Sequence, residues 1–414
     1  MKNTVKLIAI ILAAVMLFSL VSCNTADEPV ADEPTAAPTD APTDKPTDAP
    51  TDKPTEKPTE KPTEAPKDDE SEDDDDNALI PAPAPLNPKK YDLSKENDKI
   101  RLLGRANVTS EGTNFDHSAS GIEFQAFMTG DLTVTITSID ESFFTVYIDG
   151  VRLEERFSIS YGTKTLTLAS FEGNYLHSVR IIKQTESKNS FATISQIAMT
   201  GYIVEAPEER EFFIEFIGDS LTCGYGNLGD SSSSAPGSAL WQDATQAYAF
   251  IASEALGAEA SIIACSGIGV DKGWPDYEAE EFYSAICYQR DPSLKFEIDR
   301  VPDLVVIHLG ANDYALDSTK NNFIAACKSL INCVRDGYES DVTIIWAYEP
   351  KEAEPEWIKE MLDSLGGEDA GLYMLALSQN TAGANGHPTV SSHIEAADTL
   401  CDFILSKNLL ESTN

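Results

Sequence analysis

Near residue 205 the apolar residues of this chain change period, and that change limits the possible fold more than any other feature. Upstream, from roughly Ile100 to Ile203, apolar and polar residues alternate one for one in Leu132-Thr-Val-Thr-Ile136, Thr145-Val-Tyr-Ile148 and Thr165-Leu-Thr-Leu168. Period two is the signature of a half-buried strand, and Asp149-Gly150 directly after such a run is a hairpin signal. Such runs recur with no helical pattern between them, which predicts an all-β sandwich of jelly-roll type. Downstream, short apolar runs alternate with helical spacings. Strands are expected at Phe212 to Ile217, Ser261 to Cys265, Leu304 to Leu309, Val342 to Tyr348 and Leu372 to Leu377. Helices are expected over Asp243 to Leu256, Ser318 to Val334, Glu356 to Leu365 and Thr389 to Leu405. That order predicts an α/β fold, a parallel sheet sandwiched by helices, whose ligands bind beyond the carboxyl ends of the strands.

The first part of the chain has no means of folding. Residues 24–76 contain ten of the 22 prolines, with 19 acids against five lysines, and from Ala37 they repeat in tetrads such as Ala-Pro-Thr-Asp and Lys-Pro-Thr-Glu. With nothing large and apolar to bury, such a segment cannot offset its chain entropy. At ~3.1 Å per residue in polyproline II, fifty residues would reach on the order of 150 Å, the length of a spacer. Before it, Lys2 and Lys6 precede the apolar run Leu7 to Leu20 and then Leu20-Val21-Ser22-Cys23. The run is shorter than the ~18–20 residues of a membrane span. It reads as a signal peptide whose end resembles a bacterial lipobox, implying cleavage before Cys23 and lipidation of its thiol. The expected organisation is a leader over 1–23, a linker over 24–87, a β-sandwich over 88–205 and an α/β domain over 206–414. The expected location is the outer face of a bacterial cell membrane.

The formal charge of −39 argues against a phosphate backbone as partner, because affinity there comes from Lys and Arg neutralising phosphates. Six cysteines lie beyond residue 200 with no CxxC among them, which points to buried thiols with one or two bridges at most. No His/Cys/Asp cluster has metal spacing, and neither a metal nor a cofactor is expected.

The chemistry collects after the strands. Gly218-Asp219-Ser220 follows the first, Cys265-Ser266-Gly267-Ile268-Gly269 the second and Gly310-Ala311-Asn312-Asp313 the third; His387-Pro388 stands before the closing helix. Serine becomes a useful nucleophile when a base takes its proton, and histidine suits that task at neutral pH. Attack on an ester carbonyl puts negative charge on oxygen, which calls for preorganised donors. The candidates are the amides of Ser220 and Gly267 and the side-chain NH₂ of Asn312. Ser231, in a second Gly-Asp-Ser, sits in a serine-rich loop with no strand before it. His117 and His177 read as surface or edge residues, and His308 and His393 as structural. Trp241 and Trp274, in loops near the rim, are candidates to stack on a sugar.

These blocks resemble the SGNH (GDSL) hydrolase superfamily, with Ser220, Gly267, Asn312 and His387 in its four namesake places. Phe216-Ile-Gly-Asp-Ser-Leu-Thr-Cys-Gly-Tyr-Gly226, Ile262-Ile-Ala-Cys-Ser-Gly-Ile-Gly269 and Leu309-Gly-Ala-Asn-Asp313, behind a β domain, resemble carbohydrate esterase family 2. The resemblance implies an SGNH-hydrolase-like sheet preceded by a jelly roll, and an enzyme that removes acetyl groups from plant polysaccharides such as xylan or mannans. A general lipase or arylesterase of the superfamily, or a surface lipoprotein that binds carbohydrate without catalysis, is the alternative. One residue departs from the pattern. The superfamily usually has Asp three residues before the histidine, and here that residue is Ala384. A Ser–His dyad is therefore expected, with Asp313 and Asp398 as the carboxylates to examine.

Overall fold

Residues 79–233, 238–296 and 300–410 are described by the computed structural model. The leader, Cys23 and the Pro-Thr-acid repeat lie outside the described residues, as do their expected roles as anchor and spacer.

The alternating runs form antiparallel strands: β1 (Pro88–Asp92), β2 (Arg101–Leu103), β3 (Ala106–Thr109), β4 (Gly112–Phe115), β5 (Gly121–Ser138), β6 (Ser142–Ile148), β7 (Val151–Arg152), β8 (Phe157–Ile159), β9 (Gly162–Lys183) and β10 (Ala192–Ile203). The long strand β5 pairs with β9 on one side and β10 on the other. Its register slips at Met128/Gly130 and at Leu132/Thr133, where a bulge bends a strand and sharpens its twist. Leu132, Val134 and Ile136 enter the core with Phe124, Val146 and Ile181. The residues between them face out, and Thr135 and Thr137 pair hydroxyl to hydroxyl with Thr165 and Thr163 at 3.0 and 2.8 Å. Cross-strand pairs of this kind fix register. Asp149 and Gly150 both take positive φ, as a two-residue turn between β6 and β7 requires. Pairing begins before the expected end of the linker at 87. The amide of Ala82 donates to Asn174 O, and Ile80 O accepts from Leu176 N, because the apolar residues there lie along β9.

Beyond residue 210 the sheet is parallel. Strands β11 (Phe212–Gly218), β12 (Ala258–Ala264), β15 (Leu304–His308), β16 (Ile344–Tyr348) and β17 (Leu372–Ala376) lie in the order β12-β11-β15-β16-β17, with a small hairpin, β13 (Ala285–Cys287) and β14 (Asp291–Lys295), outside the sheet. Both faces are covered, so the strands read as continuous apolar runs. On one face Ile214, Phe216 and Val306 pack against the helices Tyr248–Ala255 and Val390–Lys407. On the other, Ile217, Val305 and Ile307 pack against the helices Lys320–Tyr338 and Pro355–Ser364. The chain leaves β11 to one side for β12 and to the other for β15, so the carboxyl end of β11 is the switch point where such sheets bind ligands.

The expected helix over Asp243 to Leu256 starts only at Tyr248. Asp243 instead caps the 3₁₀ turn Ala244–Gln246 and is drawn into an interdomain cluster, accepting from Arg152 at 2.7 Å and from Gln184 at 3.0 Å. The same packing corrects the reading of His117. It is buried edge-on against Phe282, and burial pushes its pKa down to about 3, so it stays neutral. His177 is also buried, held by Asp149 at 2.7 Å. The six cysteines among the described residues are all free, so no bridge forms between them.

Arg105 crosses from the β domain into the α/β domain. Its guanidinium meets Glu215 of β11 at 3.3 Å and donates to the carbonyls of Tyr283 and Ala285. Both charged side chains are almost fully buried. Removing one partner of such a pair strands the other without water. Arg105→Ala is therefore expected to cost about 3–5 kcal/mol. Chemical denaturation measures this, with Lys359→Ala from an exposed pair as reference; equal midpoints for the two variants would count against an anchoring role.

Candidate active site

The nucleophile turn follows from close packing. Strand β11 ends at Gly218, where any Cβ would overlap the Thr222 side chain. The chain then turns at Asp219 into the short helix Ser220–Cys223, and Asp219 Oδ1 caps it by accepting from Leu221 N at 2.9 Å. This presents Ser220 Oγ at the sheet's carboxyl edge, 2.9 Å from His387 Nε2.

His387 is set by backbone. After β17 the chain forms the 3₁₀ turn Ala384–Gly386, in which Asn385 is left-handed (φ 55°). The Asn385 carbonyl lies 3.1 Å from His387 Nδ1. A carbonyl can only accept, so the neutral ring carries its proton on Nδ1 and turns the Nε2 lone pair to the serine. The Tyr225 ring meets the imidazole edge-on at 4.6 Å between centroids. Neither examined carboxylate reaches the histidine. Asp313 accepts from the amides of Val270, Asp271 and Lys272 at 2.8–3.0 Å and so holds the loop beyond β12; Asp398 is exposed on the closing helix.

The place of the usual acid is sealed from water. Ala384 is fully buried, and a Cβ placed on Gly229 would come within 2.6 Å of the Ala384 Cβ. The amide of Ala384 donates to Gly226 O at 2.9 Å, tying the histidine turn to the loop after the nucleophile.

Of the expected oxyanion donors, two amides are available and the side chain is engaged. Ser220 N and Gly267 N make no hydrogen bond among the described residues. Gly267 has φ +86°, which favours glycine, and a Cβ there would crowd the Trp274 side chain at 3.2 Å. Asn312 Nδ2 donates to Asp219 Oδ2 and to Ile268 O, each at 3.0 Å. In the free site both its hydrogens are thus taken, because buried Asp219 needs donors. Burial pushes the Asp219 pKa up to about 7.

Ser220, Asn312 and His387 line a cavity of about 430 Å³ with Glu349, Glu352 and Gln379 from the ends of β16 and β17. Neither tryptophan lines it. Trp274 stands beside Gly267 with its ring 69 % exposed, while Trp241 sits in the 3₁₀ turn Ala239–Trp241. Ser231 is exposed in its loop, away from the serine–histidine pair. His308 and His393 are buried beside the Tyr248 ring. Among the described residues no group of three or more His, Cys, Asp or Glu could hold a metal. Motif reading missed the Asn385 carbonyl, although Asn-Gly at 385–386 is a turn signal. It also missed Glu186 and Lys188, which come from the β domain to the loop carrying Gly267.

A serine against a histidine, beside amides that make no hydrogen bond among the described residues, at the switch point of a parallel sheet, is the arrangement of a GDSL-like domain. The matched families agree: residues 102–207 match the carbohydrate esterase 2 N-terminal domain, 214–361 the GDSL-like lipase/acylhydrolase domain and 31–68 the PT disordered repeat. The chain has the domain composition of a family 2 carbohydrate esterase. It is 29 % identical to the cellulase/esterase CelE of Acetivibrio thermocellus over 76 % of this chain and 40 % of that protein. It is 23 % identical to an acetylxylan esterase/glucomannan deacetylase of Cellvibrio japonicus, over 54 % of this chain and 64 % of that one. The chain thus spans less than two thirds of the length of these relatives. A family two carbohydrate esterase from Clostridium thermocellum, solved with cellohexaose, superposes with a TM-score of 0.70 at 28 % identity, covering 75 % of this chain and all of that one. A family two esterase from Cellvibrio japonicus shares the fold, with a TM-score of 0.69 at 22 % identity over 78 % of this chain and 99 % of that one.

Burial lowers the His387 pKa below its ordinary 6.5, while the carbonyls of Asn385 and Ala384 oppose the shift. As a base, His387 would work in its neutral form, so activity that depends on it is lost as pH falls through that lowered value. The acid limb of kcat/KM is expected below pH 6.5. Ala384→Asp is expected to lower activity, since a carboxylate there would be fully buried; a variant with higher kcat and a limb moved to higher pH would contradict this.

Proposed function

We propose that the protein is a carbohydrate esterase that removes O-acetyl groups from polysaccharides or oligosaccharides through an acyl-serine intermediate. The observation that carries the reading is the 2.9 Å approach of Ser220 Oγ to His387 Nε2 beside two amides that make no hydrogen bond among the described residues. The Ser220 hydroxyl attacks the acetyl carbonyl as its proton passes to Nε2. The amides of Ser220 and Gly267 receive the charge that develops on oxygen. Nε2 then protonates the departing sugar oxygen, and a water attacks the acyl-serine by the same route in reverse. The imidazolium is held by a carbonyl dipole, so the site works as a Ser–His dyad. Polar side chains of Glu349, Lys351, Glu352 and Gln379 around the cavity suit sugar hydroxyls better than a fatty acyl chain. Relatives named as acetylxylan esterase and glucomannan deacetylase support the same substrate class.

The purified protein is expected to release acetate from acetylated xylan or glucomannan, and Ser220→Ala to lose more than about 10³-fold in kcat. A preference for 4-nitrophenyl octanoate over the acetate ester would favour a general lipase instead. Lipid attachment at Cys23 belongs to the same reading, with the enzyme held outside the cell on a Pro-Thr spacer. Cys23→Ala should move the protein from the membrane to the soluble fraction of an expressing bacterium, and deleting residues 24–76 should leave kcat on a soluble ester unchanged. A Cys23→Ala protein still in the membrane fraction would remove the lipid anchor from the account.

A further inference from the structure

The oxyanion amide of Gly267 belongs to the same planar peptide group as the Ser266 carbonyl, so whatever holds that carbonyl also aims and polarises the amide. Lys188 Nζ donates to Ser266 O at 3.0 Å. On the other side of the same residue, Ser266 N donates to Glu186 Oε2 at 2.6 Å. Glu186 is fully buried, and its second oxygen accepts from Gln242 Nε2 at 3.0 Å. Its Oε2 also lies 3.7 Å from the Cys223 thiol, at the end of the nucleophile helix. Both residues come from the segment after β9, in the β domain. One residue of the oxyanion loop is thus gripped at its N–H and at its C=O by the neighbouring domain.

We propose that Lys188 and Glu186 are positioning residues through which the β domain orients and strengthens the Gly267 oxyanion donor. This rests on the ester-hydrolase reading of the site. An ammonium on a peptide oxygen draws electron density from the peptide nitrogen, and a hydrogen bond polarised at one end donates more strongly at the other. The gain appears when charge develops on the substrate oxygen, so it acts on the transition state and leaves ground-state binding little changed. The β domain on this account supplies part of the preorganisation of the catalytic site.

Lys188 is exposed along its stem, so Lys188→Met removes the charge with little effect on folding. It is expected to lower kcat on 4-nitrophenyl acetate by roughly 5- to 20-fold with KM within twofold, short of the 10²–10³ that losing a whole donor costs. Lys188→Arg should recover most of that loss, and Glu186→Gln should behave like Lys188→Met. Affinity for a boronic acid should fall by the same factor as kcat. The serine oxygen adds to boron as its proton passes to His387, and an oxygen of the tetrahedral adduct takes the oxyanion position. Arg180→Ala, which cuts the interdomain pair with Glu254 far from this loop, should leave kcat unchanged. In a glycine-labelled protein the Gly267 amide proton should move upfield in Lys188→Met, a signal independent of turnover. An unmoved Gly267 resonance, or an unchanged kcat and boronate affinity, would overturn the proposal. So would an equal loss in Arg180→Ala. A protein inactive on every ester would remove the esterase reading, and the Gly267 resonance would still decide the role of Lys188.

Discussion

A parallel sheet covered on both faces leaves its polar chemistry only one place to go. Ile214, Phe216 and Ile217 of β11 are buried, Ile217 toward one layer of helices and the other two toward the opposite layer. Their neighbours in β12, β15 and β16 are as dry. Polar side chains can then reach solvent only where the strands end, and residues that follow β11, β15, β16 and β17 line one cavity. Ser220, Gly267, Asn312, Glu349 and Gln379 each follow a different strand. The site is a consequence of burying the sheet, because any residue set back within a strand would be sealed in apolar packing.

The domains are joined by buried charge rather than by a flexible link. Arg105 meets Glu215 of the central strand, and Asp243 gathers Arg152 and Gln184. Such groups are costly to desolvate and are tolerated only when geometry satisfies them. They make a poor general adhesive but a demanding register. A shift of an ångström at this interface would leave charges unpaired. The β domain is therefore held in one position against the loops that carry the nucleophile and the oxyanion donor.

At the histidine the protein replaces a charge with a dipole. A carboxylate would hold the Nδ1 proton and stabilise the imidazolium, but at residue 384 it would be buried without water. The left-handed Asn385 turns its carbonyl to the ring instead. Orientation and tautomer are retained. What is given up is the stabilisation of the protonated ring, and burial moves the histidine further in that direction.

Much of this was legible in the order of residues. Period two and then strand-helix alternation declared the two architectures, since the pleat and the helix each impose one spacing on apolar side chains. Gly-Asp-Ser after an apolar run, and Asn312 and His387 after later ones, declared the crevice, because parallel strands carry their ends to a common edge. Local pattern could not show that His117, read as a surface residue, is sealed by the hydrolase domain, or that the helix expected from Asp243 begins at Tyr248. Both depend on how the domains meet. Nor could it show that the Asn312 amide is spent on Asp219 and Ile268, that Ala384 is walled in by Gly229, or that Lys188 and Glu186 reach the Ser266 peptide from across the interface. Sequence by itself determined which elements form and which residues stand at their ends, because those follow from spacing along one chain. Only the tertiary structure decided which donors are engaged and which residues of the β domain reach the loop carrying Gly267, because those depend on contacts between segments far apart in the chain, as Ser220 and His387 are at 167 residues.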